Sequence, residues 1–421
     1  MAERTAASPW PDPGSGARHA VVLSGGGAKG AYEVGVMQAL FAGASPATDG
    51  LPLTAGIFTG TSVGAYNAAF MAQSVPAGRA AVDALAALWC ERIADTSRSC
   101  GNGVYRLRAD PLQYLEPGCL RRPFEIAAEI GRDTAFWARY LVSRGAALVT
   151  SQESLRTRLL ETFDLAALFS VDPLSDLVAE TLDFARLAAA PGALTVVASD
   201  WTHGTVRLFG KEEVARLGSP VLLGATAIPG IFPPVDVAGM LCADGGLLMN
   251  TPLGPAIDDG ADVLHVIYVD PRVIDIPFPP LPNTLDTFYR LYATLLAAQV
   301  NNDIGVAARI NEEMAMLAVL GVLDVLEGGR DWAPAARRLL RPLSRVVERL
   351  ERGRPYRPLA IHRYRPQADL AGAESFLDFS AAAIETLMAA GYADAVAHDC
   401  RTADCILPPA PLAPAGPVEV S

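Results

Sequence analysis

Twice near its start the chain runs from a short apolar segment, through a glycine turn, into a helix of small residues. The first copy is HAVVLS (His19 to Ser24), followed by GGGAKG and a helical stretch from Ala31 to Phe41. The second is TAGIFTG (Thr54 to Gly60), then TSVG, then a helix from Val63 to Gln73. The apolar runs read as strands covered on both faces, and the small residues let the helices lie close to them. Strand–turn–helix repeated in this way predicts an α/β fold around a mostly parallel sheet.

Further along, residues from about 80 to 190 read as helices joined by loops, with no clear strand. Leu194 to Ser199 and Thr205 to Phe209 read as a hairpin about the turn Asp200 to Gly204. Met240 to Ala243 and Val263 to Val269 are further strands, the second (VLHVIYV) apolar almost throughout. After Pro271 a proline-rich link leads into helical stretches from about Thr284 to Glu327 and Pro334 to Arg352. A last strand in IHRYRP and a last helix from Ala381 to His398 follow. The expected division is a flexible tail over 1–17, a catalytic unit over 18–272, a mainly helical region over 273–407 and a disordered tail over 408–421.

Composition narrows the function classes. Hydrophobic residues make up 51% of the 421 residues and charged residues only 19%, the balance of a folded chain. A net charge of −12 argues against general nucleic-acid binding, which needs clustered positive charge. The segment Met1 to Gly16 lacks the basic region and apolar core of a signal peptide, and no apolar run is long enough to span a bilayer. The expectation is a cytoplasmic protein, peripheral to membranes at most, with leaderless export left open. None of the six cysteines, Cys90, Cys100, Cys119, Cys242, Cys400 and Cys405, stands in a C-x-x-C pair or other zinc-type spacing. They are expected as free thiols, with no metal.

Three places can carry chemistry. In Ser24-Gly25-Gly26-Gly27-Ala28-Lys29-Gly30, bare backbone N–H groups converge at a helix N-terminus and favour negative charge. Gly25, Gly27 and Gly30 match G-x-G-x-x-G, so the loop suits either a phosphate or the oxyanion of an acyl transition state. Gly60-Thr61-Ser62-Val63-Gly64 matches G-x-S-x-G, the turn that lifts a nucleophilic serine out at the end of a sheet, and its flanks are strand-like and helix-like as that turn requires. Asp244-Gly245-Gly246 follows the strand Met240 to Ala243, a position where catalytic groups collect in parallel sheets.

A dinucleotide site would leave Ser62 unexplained, and it wants an acidic residue at the end of the second strand. The only nearby one, Asp49, precedes that strand. A Ser–acid–His triad would pair Asp244 with His265 or His362. His265 lies inside VLHVIYV and reads as a core residue, and His362 lies in a late strand. His19, His203 and His398 have equally ordinary positions.

Taken together, VVLSGGGAKGAYEVGVMQAL, GTSVGAYNAA, GATAIPGIFPPV and ADGGLLMNTPL resemble the patatin-like phospholipases, in that family's order, over roughly Arg18 to Pro271. The resemblance implies a three-layer α/β sandwich with a mostly parallel central sheet, a helical insert and a helical C-terminal extension. It implies hydrolysis of fatty-acyl esters of glycerolipids, of phospholipase A or lysophospholipase type, on membrane or micellar substrate and without a cofactor. It also implies a Ser–Asp dyad with Ser62 as nucleophile and Asp244 as proton acceptor, and an oxyanion hole at Gly25, Gly26 and Gly27 completed by Lys29 and Gly30. The elbow glycines are Gly60 and Gly64, and the aspartate is followed by Gly245 and Gly246. Two alternatives stay open: an esterase with a histidine triad, and a lipid-binding or regulatory module with weak activity.

Outside those motifs, Arg330 to Arg357 holds nine arginines against Asp331, Glu348 and Glu351. Between Pro334 and Arg352, Leu339, Leu340, Leu343, Val346, Val347 and Leu350 recur at helical spacing. Such a helix either lies on anionic lipid or packs its apolar stripe on the protein.

Overall fold

The computed structural model describes residues 17–96, 99–108, 110, 113–115, 117–150, 165–269, 359–367 and 376–408, with isolated positions at 287, 290, 291, 294, 295 and 311. The basic segment 334–352, most of 273–358 and both tails lie outside the described residues.

Among the described residues ten strands are formed: β1 His19–Leu23, β2 Ala55–Thr61, β3 Arg106–Leu107, β4 Phe169–Ser170, β5 Ala193–Asp200, β6 Thr205–Gly210, β7 Val235–Val237, β8 Met240–Asp244, β9 Val263–Ile267 and β10 Ala360–Tyr364. Eight of them make one sheet, ordered β10-β9-β1-β2-β5-β8-β7, with β6 also paired to β5. From β10 to β5 every pairing is parallel, while β6, β8 and β7 join antiparallel. The hairpin and the strands expected at 19–24, 54–60, 240–243, 263–269 and in IHRYRP are therefore present, but the strand that leads to Asp244 joins antiparallel.

Both faces of the sheet are covered, which is why the strands read as unbroken apolar runs. In β1, Val21 and Leu23 face one core together with helices α1 (Gly30–Phe41) and α2 (Val63–Ala72). Ala20 and Val22 face the other, against Leu253 and Ala256 of the helix Leu253–Asp258. The period of two along the strand divides the apolar residues between the two layers. The last helix, Ala381–Val396, lies on α1 at glycine-close range: a Cβ on Gly35 would sit 2.0 Å from Met388 O, and one on Gly391 2.1 Å from Tyr32 O. Thus β10 and the last helix, though they follow Pro271 by a long stretch of chain, complete the sheet and its helical layer.

Two expectations need correction. The insert is mainly helical, with a long helix Pro123–Thr150, but β3 and β4 form a small antiparallel sheet in it. Two residues per strand show no alternation in sequence. Arg106 of β3 donates to both carboxylate oxygens of Asp133 at 2.8 Å, tying that sheet to the long helix. The cysteines are not all free thiols either: Cys100 and Cys119 form a disulfide, while Cys90, Cys242, Cys400 and Cys405 are free. Among the described residues no helix is long and apolar enough to cross a membrane.

Candidate active site

Ser62 sits between β2 and α2 with φ 54° and ψ −127°, a left-handed conformation that a non-glycine residue holds only when its surroundings enforce it. Its two glycines show what enforces it. A Cβ on Gly60 would lie 2.2 Å from Gly64 O, and one on Gly64 would lie 2.7 Å from both Leu23 O and Ser24 O. Only glycine lets the strand, the turn and the end of β1 close on each other this tightly. Ser62 is 3% exposed.

The glycine loop closes over the same point. A Cβ on Gly25 would lie 2.8 Å from Ser62 Cβ. The Gly25 N–H donates to Asn250 Oδ1 at 2.9 Å, so that donor is already committed. Gly26 and Gly27 come next, at the start of a short 3-10 turn (Gly27–Lys29) that runs into α1. N–H groups at such a start have no preceding carbonyl within the helix to bond. Gly27 has φ 59° and, like Ser62, lines the apolar pocket described below. Lys29 is buried. Gly30 lets α1 approach the elbow, since a Cβ there would lie 2.4 Å from Val63 Cγ2.

Behind the elbow, Asn67 of α2 holds the two helices together. Its Nδ2 donates to Glu33 Oε2 at 2.9 Å and to Gly30 O at 3.2 Å, and its Oδ1 accepts from Trp89 Nε1 at 3.0 Å. Burial pushes the Glu33 carboxyl well above its ordinary 4.5, partly opposed by the hydrogen bond from Asn67.

Sheet register brings Asp244 to the serine. Residues 195–197 of β5 pair with both β2 and β6, and residues 198–200 pair with both β6 and β8. A strand has two edges, so β2 and β8 occupy the same edge of β5, one after the other. Thr61, the last residue of β2, is opposite Val197, and Asp244, the last of β8, is opposite Ala198. The two strands run toward each other and end there, so Thr61 and Asp244 stand opposite consecutive residues of β5, with Ser62 next after Thr61. Several bonds fix that meeting. Thr61 Oγ1 donates to Met249 O at 2.8 Å, and Ser199 Oγ donates to Asp244 O at 2.9 Å. The Asp244 N–H donates to Ala227 O at 2.9 Å. The Asp244 carboxylate is fully buried and accepts from the Gly246 N–H at 2.7 Å, which orients it. Gly245 has no room for a side chain, because a Cβ there would lie 2.5 Å from Val197 O.

In front of Ser62 opens a small pocket with a cavity volume of about 50 Å³. Its walls are almost wholly apolar, with Ile93, Val104, Leu174, Leu177, Ile228 and Phe232 joined by Phe376 and Phe379. No histidine is among the lining residues. His265 is buried in the sheet between His19 and His362, with ring centroids 5.6 and 5.2 Å away, the core position its sequence context suggested. His203, in the turn after β5, is exposed, and its Nδ1 lies 2.7 Å from Asp200 Oδ2.

Sequence reading singled out Ser62, Asp244 and the glycines, but not Asn250. Asn250 stands in the same motif as Asp244, and its spacing from the aspartate was the available signal. Its bond to Gly25 spans 225 residues and is visible only once the fold is known.

The family model for patatin-like phospholipases matches residues 21–257, more than half of the 421-residue chain. Among solved structures, the chain is similar to VipD from Legionella pneumophila, at 16% identity, covering 91% of this chain and 67% of VipD with a TM-score of 0.32. That likeness adds nothing to the family match. No curated protein matches in sequence. The matched segment holds the glycine loop, the serine elbow and the aspartate, and the chain belongs to the patatin-like phospholipase family.

Proposed function

We propose that this protein hydrolyses fatty-acyl esters of glycerolipids, as a phospholipase A or lysophospholipase, through a Ser62–Asp244 dyad. Family membership supports lipid acyl hydrolysis in general. The observation that carries the finer reading is the head-on meeting of β2 and β8, with the serine and the carboxylate at the two strand ends.

In the proposed reaction Asp244 takes the Ser62 proton as Ser62 Oγ bonds to the ester carbonyl carbon. Negative charge on the carbonyl oxygen is held by the Gly26 and Gly27 N–H groups and the start of α1. Gly25 acts differently: its N–H holds Asn250, and its lack of a side chain leaves room for Ser62. Collapse breaks the ester C–O bond, and the departing alkoxide takes the proton from Asp244. Water, deprotonated by Asp244, then attacks the acyl-enzyme; the bond to Ser62 Oγ breaks, Asp244 returns the proton to that oxygen, and the fatty acid leaves. The apolar walls beside Ser62 suit the carbons of the acyl group next to the ester, which would displace water from them.

A histidine triad is the rival mechanism, and rates on one short-chain ester separate the two. The dyad predicts that Asp244→Asn loses about 10²–10⁴-fold in rate. His203→Gln, His265→Gln and His362→Gln should stay within a few-fold per folded molecule, with folding checked by circular dichroism. A well-folded histidine variant as inactive as Ser62→Ala would refute the dyad.

A further inference from the structure

At the edge of the sheet far from Ser62, four metal-ligand side chains converge. They are His362 on β10, His398 just after the last helix, and Cys400 and Cys405 in the turns that follow. One donor atom from each lies within 4.8 Å of all the others. Cys400 Sγ is 3.4 Å from His362 Nδ1 and 3.4 Å from His398 Nε2, and Cys405 Sγ is 3.4 Å from the same Nε2.

We propose that His362, His398, Cys400 and Cys405 bind a structural Zn²⁺ ion. Zn–S bonds of about 2.3 Å and Zn–N bonds of about 2.0–2.1 Å at tetrahedral angles put sulfur and nitrogen ligands about 3.6 Å apart. The three 3.4 Å separations are therefore already close to edges of that tetrahedron. Two thiolates and two imidazoles form a ligand set that selects zinc over hard cations. Four protein ligands leave no open position, so the ion would hold structure, not perform catalysis.

The surroundings fit that role. The Arg363 N–H donates to Cys405 Sγ at 3.3 Å, the kind of backbone bond that steadies a thiolate ligand. The His362 ring is stacked on His265, and the His398 ring lies 4.6 Å from the Tyr364 ring, so both imidazoles are held in orientation. The loop carrying the cysteines is laced onto β10, with Ile361 and Ile406 exchanging backbone bonds of 2.7 and 3.0 Å. An ion there would pin the end of the last helix to the sheet's edge strand. That same helix packs on α1, whose start carries the glycine loop.

Sequence spacing hides the site. His398-x-Cys400-x₄-Cys405 lacks the usual C-x-x-C, and the fourth ligand lies 36 residues before the second histidine on a different element.

The test uses the full chain, reduced and stripped with a chelator, then titrated with Co²⁺ and Zn²⁺. The proposal expects about one Co²⁺ per chain, with the visible bands of tetrahedral cobalt and a thiolate-to-cobalt charge-transfer band, both displaced by Zn²⁺. Zn²⁺ should also raise Tm. Cys400→Ser/Cys405→Ser should weaken Zn²⁺ binding at least about 100-fold and abolish the charge-transfer band, while Cys90→Ser binds as the unaltered chain does. If the double variant does not fold, the cobalt spectrum of the unaltered chain decides alone. An octahedral cobalt spectrum without charge transfer, no uptake, or a Cys400–Cys405 disulfide in the untreated protein would each overturn the proposal.

Discussion

Gly25→Ala is the sharpest probe of how the glycine loop serves the serine. Gly25 does not occupy the left-handed region, so alanine fits the backbone there. What it lacks is space: the added Cβ would lie 2.8 Å from Ser62 Cβ and 2.8 Å from Asn250 Oδ1. Carbon atoms pack best at about 3.5–4.0 Å, so roughly 0.7 Å or more must be found. Either Ser62 shifts or Asn250 turns away and releases the Gly25 N–H. Overpacking of this kind costs about 1–3 kcal/mol of stability. A reacting atom misplaced by about 1 Å costs on the order of 10²-fold in rate. The expected result is a folded protein whose kcat/KM falls about 10- to 100-fold, or roughly 1.4–2.7 kcal/mol of barrier. Gly254→Ala is the control, because a Cβ there meets nothing within 4 Å. Initial rates on p-nitrophenyl butyrate, with urea unfolding of each variant, give both quantities. A folded Gly25→Ala protein with kcat/KM close to the unaltered value would refute the packing argument.

Two further predictions concern the residues behind the site. Asn250→Ala leaves the buried Gly25 N–H without its acceptor and should cost about 1–3 kcal/mol of stability, together with activity; unchanged urea unfolding would contradict this. Burial raises the Glu33 pKa well above 4.5, so as pH rises through 4.5 the folded state holds its proton after the unfolded chain has lost it. Its contribution to stability therefore falls with rising pH until the folded pKa is passed. Relative to the unaltered protein, Glu33→Gln should gain up to about 1.4 kcal/mol per pH unit in that window, measured by denaturation at steps from about pH 5 upward. A stability difference independent of pH would show that Glu33 is charged in the fold.

Much of this architecture was legible because it is local. The run HAVVL needs both faces covered, and the two glycines around Ser62 are demanded by contacts within the turn or with the end of the adjacent strand. Asp244 could be placed at a strand end for the same reason. What could not be read depends on distant pairing. β7 is three residues long, and β3 and β4 two each, too short for a period to show. The exchange of β2 for β8 along one edge of β5, which brings the ends of those two strands together, is a matter of register between segments far apart. The Asn250–Gly25 bond, the Cys100–Cys119 bridge and the His–Cys cluster are of the same kind.

The central claim is that Ser62 is the nucleophile, and covalent labelling tests it most directly. The full-length protein is incubated with a serine-directed alkyl phosphonate until ester hydrolysis stops, then digested and mapped by mass spectrometry. The account predicts about one phosphonyl group per chain, on Ser62, with labelling and hydrolysis lost together at the same rate and no labelling of Ser62→Ala. Inactivation with the label on another residue, or a Ser62→Ala protein that still hydrolyses lipid esters, would contradict it.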